Sequence, residues 1–366
     1  MNDLLSWFRL KSVPGIGNYL IKRLIDRFDS PGAVFNASRQ SLLGVDGMSQ
    51  RLVRVLRGHA LPDDLTAELE ETLAKGYRVV PMTDPGYPVL LRQIPDPPAY
   101  LYVHGHLEPK SANVAVVGSR NATDYGITTT RRLSGDLVAH GLVVVSGMAR
   151  GIDTAAHSGA LDGGGHTYAI LGSGLERVYP PENRPIFDRI AERGAVISEF
   201  PLKTGPDAFN FPARNRIISG MSLGAIIVEA SKRSGSLITA RLAAEQGREV
   251  FAVPGSIHSF KSSGTHGLIK DGAKLVEHAQ DVIDELAYAL PQPPDRLKTD
   301  CGDMPVLSSE EQRVYEVLDP YPIHIDDLVR KMSMEPGKLA GVLLNLELKG
   351  LVEQSPGKLF SIKVRS

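Results

Sequence analysis

Between residues 78 and 290 the chain alternates short, unbroken apolar runs with amphipathic or turn-rich stretches. RVVPM, NVAVVGS, LVVVSG, TYAIL, AVISE, AIIVEA and EVFAVPG are each of strand length. Strands that are apolar throughout, joined by helical crossovers, predict an α/β domain with a Rossmann-like parallel sheet covered on both faces. Past this region PQPPDRLKTDCGDMP, residues 291–305, breaks every periodicity with proline and polar residues and reads as a linker. SSEEQRVYEVL, HIDDLVRKM and EPGKLAGVLLNLELKG then give three helical patterns, followed by LVEQ and KLFSI. Three helices and a two-stranded wing predict a winged-helix domain over 306–366.

The first 75 residues follow another rule. Leu20, Leu24, Ile25 and Phe28 repeat at helical spacing behind Pro14-Gly15-Ile16-Gly17. Gly44-Val45-Asp46-Gly47-Met48 precedes RLVRVL in the same way, about thirty residues on. The pair resembles tandem helix-hairpin-helix units, as in sterile-alpha-motif-like (SAM-like) domains. Such glycines either bring backbone N–H groups to a phosphate or merely close tight turns.

Composition narrows the function classes. The 366 residues are 42% hydrophobic and 23% charged, ordinary for a globular protein. A net charge of −1 spreads no global field for nucleic acid or membrane, so any anion site must be local. A lone cysteine, Cys301, excludes an internal disulfide and any multi-cysteine metal site. No signal-peptide pattern opens the chain and no apolar run approaches a membrane span, so a cytoplasmic location is expected.

The chemistry concentrates where the strands end. VAVVGSR, VVVSGMARGID, AILGSGLERVYP, IIVEASKRSGSLITA and FAVPGS all leave the sheet through glycine, serine or arginine. In a parallel sheet those ends lie side by side, and ligands bind there, at the switch in strand order. Gly118, Ser119 and Arg120 therefore predict an anion site, with arginine as the fork-shaped donor. Ser234-Gly235-Ser236 ahead of LITARLAAEQ, and Gly147 to Asp153 ahead of TAAHSGAL, predict helix starts offering N–H groups. In FNFPARNRIISG, Arg214, Asn215 and Arg216 follow Phe211 and Pro212. Arginines two apart do not share a helix face, so one reaching a phosphate leaves the other to brace the sheet. Phe211 either stacks on an unpaired base or belongs to the core.

Catalytic constellations are thin. His157 follows Asp153 by four positions, an acid–base fragment or simply a capping carboxylate and a packed histidine. Glu199 and Glu229 sit at strand ends without an evident third partner. No Gly-Lys-Ser/Thr phosphate loop and no metal-ligand spacing are present. Binding, without a cofactor or metal, is the expected chemistry.

In order and spacing, VVGSRNATDYG, VSGMARGIDTAAHSGAL, AILGSGLERVYPPEN, FPARNRIISG, VEASKRSGSLITARLAAEQGREVFAVPG and GTHGLIKDGA resemble the DNA-processing protein A family, also called Smf or DprA. The resemblance implies a homodimer that binds single-stranded DNA, protects incoming strands in natural transformation and helps load the RecA recombinase. It places the family's phosphate pocket on Gly118, Ser119 and Arg120, and its FPxRNR segment on Phe211, Pro212, Arg214, Asn215 and Arg216. Met148 replaces a common leucine, and His266 stands where asparagine is frequent. Leu268, Ile269 and Leu275 either present a dimerisation patch or close the domain's own core. Two rivals remain. A phosphoribohydrolase-like enzyme would carry a P-G-G-x-G-T-x-x-E turn, which VEASKRSGSLITA lacks. A transcriptional regulator would need more cations than Lys338 and Lys349 on the third winged helix.

Overall fold

In the computed structural model, residues 2–290, 307–318, 323–332, 334–349, 351–355 and 357–362 are described. The expected linker at 291–305, with Cys301, lies outside them. The chain forms two compact units, Met1–Pro291 and Gln292–Ser366.

Six helices open the first unit: α1 (Asn2–Lys11), α2 (Asn18–Phe28), α3 (Pro31–Asn36), α4 (Arg39–Leu43), α5 (Gln50–Gly58) and α6 (Asp63–Ala74). Ser30, Ser38 and Ser49 cap α3, α4 and α5 through their side chains, and Pro31 sits at the first position of α3, where its missing N–H costs nothing. The two hairpins interlock: Gly15 faces Leu52 on α5, and Gly47 faces Leu20 on α2. A side chain on either glycine would crowd that leucine. These helices are not a body apart from the sheet domain. Phe8 stacks on Tyr100, with ring centroids 4.5 Å apart, and both belong to one hydrophobic cluster with Trp7 and the sheet.

The sheet domain then runs β1 (Arg78–Pro81), α7 (Val89–Arg92), β2 (Tyr100–Gly105), β3 (Asn113–Gly118), α8 (Asp124–Ala139), β4 (Val143–Ser146), α9 (Ile152–Asp162) and β5 (Thr167–Ile170). It continues through α10 (Arg184–Arg193), β6 (Ala195–Ser198), α11 (Asn210–Gly220), β7 (Gly224–Val228), α12 (Ser236–Glu245), β8 (Glu249–Ala252), α13 (Ser263–Lys270), β9 (Lys274–Leu275) and α14 (Ala279–Leu286). Nine strands join in the order β1-β2-β6-β5-β4-β3-β7-β8-β9. From β6 to β9 all neighbours are parallel, whereas β2 is antiparallel to both β1 and β6. The parallel sheet that the sequence predicts thus carries an antiparallel edge, formed by β1 and β2. Its missed strand, YLYVHG, is tyrosine-rich and follows the proline-rich PDPP, so it lacks the aliphatic run of its neighbours.

One consequence positions the site. The chain lays β4, β5 and β6 successively on one side of β3, then returns to place β7 on its other side. The crevice outside the carboxyl ends of β3 and β7 is therefore the topological switch point.

In the second unit α15 (Ser309–Tyr315), α16 (Ile325–Met332) and α17 (Pro336–Leu348) pack on the strands β10 (Ile323–His324), β11 (Val352–Ser355) and β12 (Leu359–Ile362). The antiparallel wing pairs Val352 with Ile362 and Ser355 with Leu359. Ser308 and Glu311 form a capping box on α15. Lys338 on α17 pairs with Glu310, and Lys349, just past its end, pairs with Glu311.

Candidate functional site

At the switch point β3 ends on Gly118, whose α-carbon lies so close to β7 that a Cβ would overlap the carbonyl oxygen of Val228. The chain then turns through Ser119 and Arg120 across the start of α9, where the Ile152 N–H donates to the Ser119 carbonyl at 3.1 Å. Glu229, at the end of β7, holds the next turn by accepting from the Thr123 N–H at 2.9 Å and from the Thr123 hydroxyl. Both Glu229, at φ 50°, and Met148, at φ 58° beyond β4, adopt the left-handed region. Non-glycine residues held there cost of order 1 kcal/mol or more and cluster at functional sites.

These exits enclose a cavity of about 710 Å³, within the range of ligand sites. Gly118, Ser119 and Arg120 line it together with Phe211, Arg214, Asn215 and Ser234-Gly235-Ser236. Arg120 is exposed, and its guanidinium carbon stands 5.0 Å from the centroid of the Phe211 ring. No carboxylate lies within ion-pair distance of it among the described residues. The Phe211 ring is half-buried, seated against Gly172 at the end of β5 and 5.9 Å from the ring of Tyr179. It is thus anchored against Gly172 and remains partly accessible.

The Phe211–Arg216 segment lies wholly within the first two turns of α11, and the helix sorts its arginines. Arg214 turns inward, donates to the Ile170 carbonyl and is 3% exposed. It presses on Gly147, where a Cβ would collide with the guanidinium. Burial lowers its pKa to about 10, opposed by the charge of Asp153. Asp153 is buried as well; burial raises its pKa, and Arg214 opposes that rise. Arg214 is therefore the floor of the cavity, a fixed positive charge beneath Phe211. Arg216 does not join it. Its side chain turns away to Glu199 at 2.5 Å and Asp96 at 3.2 Å, beneath the N-terminal helices. Lys11 Nζ donates to the Glu199 carbonyl at 2.7 Å from the same side.

At both helix starts several of the N–H groups expected to be open are already engaged. At α12 the N–H groups of Leu237 and Ile238 already donate to the carbonyls of Ser234 and Gly235, at 3.1 Å each. What faces the cavity is the hydroxyl pair of Ser234 and Ser236, 2.8 Å apart. The start of α9 is likewise engaged, with the Ala149 N–H donating to the Asp153 carboxylate at 3.3 Å.

Asp153 and His157 do not form an acid–base pair. The Thr167 hydroxyl donates to the Val144 carbonyl at 2.7 Å, so it accepts from His157 Nδ1 at 2.7 Å. His157 Nε2 is then the bare nitrogen, buried without a hydrogen-bond partner, and burial lowers the imidazole pKa to about 3. His266 meets the β8 exit instead, its Nε2 3.0 Å from the Gly255 carbonyl. Among the expected dimerisation residues, Leu268 packs on the core, Ile269 is half-buried and Leu275 is 41% exposed on the edge strand β9.

Sequence reasoning assigned nothing to Tyr179, Phe260 or Lys261, which also line the cavity. Tyr179 was legible in YPPEN as an aromatic at a strand exit. Phe260 carries no such signal, because its role depends on a loop folding back toward β3. Among the described residues no helix is long and apolar enough to cross a membrane, and no metal-binding cluster is present.

Residues 78–287 match the model of the family described as DNA recombination-mediator protein A, and residues 289–358 match the DprA winged helix domain. The chain is 34% identical to Protein Smf of Synechocystis over 96% of each chain. It is 46% identical to DNA processing protein DprA of Streptococcus pneumoniae over 59% of this chain and 78% of that one. Among solved structures, DNA processing protein A of S. pneumoniae superposes with a TM-score of 0.63 at 38% identity, covering 74% of this chain and 98% of that one. DNA processing protein A of Helicobacter pylori, whose structure addresses its single-stranded DNA binding mode, gives 0.53 at 30% identity, covering 59% and 97%.

Proposed function

This chain belongs to the DNA recombination-mediator protein A family, and on that premise we propose that it binds single-stranded DNA in the switch-point cavity. Its role is to receive incoming strands in natural transformation, protect them and help load the RecA recombinase. One observation carries the reading: Arg120, an exposed fork donor without a carboxylate partner among the described residues, stands over a half-open aromatic ring. A phosphate takes the guanidinium and a neighbouring unpaired base takes the ring. Ser119 and the Ser234–Ser236 hydroxyls supply further phosphate donors, and the single-strand binding of the Helicobacter pylori relative supports the ligand class.

Duplex DNA keeps its bases stacked, so a site built on a ring selects unpaired strands. The sequence has no P-loop, so energy for filament growth comes from the partner. A homodimer holds two such cavities on one DNA molecule and raises their effective concentration.

The test compares single-stranded with duplex DNA across a salt series. The wild type favours single strands. Arg120→Ala binds more weakly whatever the sequence, with a slope shallower by roughly 0.7 per lost phosphate contact. On strands coated with single-strand-binding protein, the wild type accelerates RecA filament formation and the variant does not. An unchanged slope in folded Arg120→Ala removes Arg120 from the site. Hydrolysis of a nucleoside monophosphate without filament acceleration replaces this reading with an enzymatic one.

A further inference from the structure

Resting on that single-strand reading, we propose that Phe260 is a second base-stacking surface, on the far side of the β3 exit from Phe211. Phe260 lines the cavity, yet the residue is 72% exposed. Aromatic rings ordinarily bury most of their area, so its place is not explained by packing. Phe209 and Ile257 are equally exposed but do not line the cavity.

The loop fixes the backbone of Phe260 while leaving the ring free. Ser259 caps the short turn Phe260–Ser262 by accepting from the Lys261 N–H at 3.3 Å. The Ser263 hydroxyl donates to the Phe260 carbonyl at 2.6 Å. Lys261 Nζ donates to the Asn121 carbonyl at 2.5 Å, tying the residue after Phe260 to the residue after Arg120.

Strand order supplies the direction. Phe211 sits at the end of β5, and Phe260 follows β8. Between those strands lies β3, with Ser119 and Arg120 at its exit. The cavity thus offers ring, phosphate donors and ring in succession along the sheet edge. A strand laid across it places one base on Phe211, its phosphate on Arg120 and a later base on Phe260. Stacking ignores base identity, so the second contact adds grip without adding sequence preference.

Affinity for oligothymidine separates this proposal from the reading beneath it. Phe260→Ala is expected to bind roughly five- to a hundred-and-fiftyfold more weakly, the range for losing one stacked base. Its salt slope and thermal midpoint stay at wild-type values, because neither charge nor core is lost. Phe260→Trp retains binding, and its indole fluorescence is quenched as the oligonucleotide is added. The native Trp7, 1% exposed, leaves that signal clear. If Arg120→Ala weakens binding while Phe260→Ala does not and Phe260→Trp is not quenched, Phe260 is no stacking surface and the cavity reading stands. A changed salt slope in Phe260→Ala likewise overturns the stacking role. If the wild type binds no single strands, the reading of the cavity fails and this proposal with it.

Discussion

At the residue scale, three arginines of similar promise in the sequence have three fates. Arg120 faces solvent, Arg214 is the cavity floor, and Arg216 is an ion-pair partner of Glu199. Burial decides what each can do, since a ligand must reach a guanidinium to be held by it. The same rule turns His157 from a candidate base into a pH-sensitive core residue. Its folded pKa is lowered to about 3, below the ordinary value of 6.5. Between those values the unfolded chain binds a proton that the folded chain does not. The stabilisation from the neutral ring is therefore complete above pH 6.5 and falls by about 1.4 kcal/mol per unit as pH drops toward 3. Urea midpoints measured from pH 7 to pH 5 will decline, and the decline will be shallower in a folded His157→Gln variant. Equal pH dependence in the two proteins refutes the assignment.

At the element scale, α11 is the part that joins site and scaffold. Its first turns hold Phe211, Arg214 and Asn215 at the cavity, while Arg216 faces the N-terminal helices. Arg216→Ala leaves the Glu199 carboxylate, 7% exposed, without its closest counter-charge. Stranding a buried charge costs about 3–5 kcal/mol, so denaturant stability should fall by that order. The protein that remains folded should bind oligothymidine as the wild type does. Weakened binding at unchanged stability would instead assign Arg216 to the ligand.

At the scale of the whole molecule, the sheet ends in an open edge at β9, only two residues long and paired on one side. Short edges of this kind guard against indiscriminate pairing, so a proposed dimer contact must come from side chains. Leu275 is exposed there, and Ile269 is half-buried on α13. Ile269→Glu is expected to give a folded monomer in light scattering, where the proposal requires a dimeric wild type. Leu268→Glu should instead lower stability, since the half-buried Leu268 packs against the core. A monomeric wild type ends the dimer proposal, and with it the gain in effective concentration.

The sequence by itself determined most of the elements, β2 excepted, and the chemistry at their ends. Runs such as NVAVVGS and AIIVEA admit little but buried strands, because an unbroken apolar strand must be covered on both faces. Gly118-Ser119-Arg120 marked a strand exit in the same way, and the ordered motifs identified the family. What only the tertiary structure decided is which residues meet. The antiparallel pairing of β2, the turn of Arg214 onto the Ile170 carbonyl and the burial of Arg216 against Glu199 and Asp96 each depend on neighbours remote in the chain. Phe260 reaches the cavity because Lys261 bridges to Asn121 across 140 positions. Periodicity records which face of an element is apolar; it carries no record of what lies opposite that face. Strand order supplies this, and here it gathers the exits of β3, β5 and β7 around one cavity.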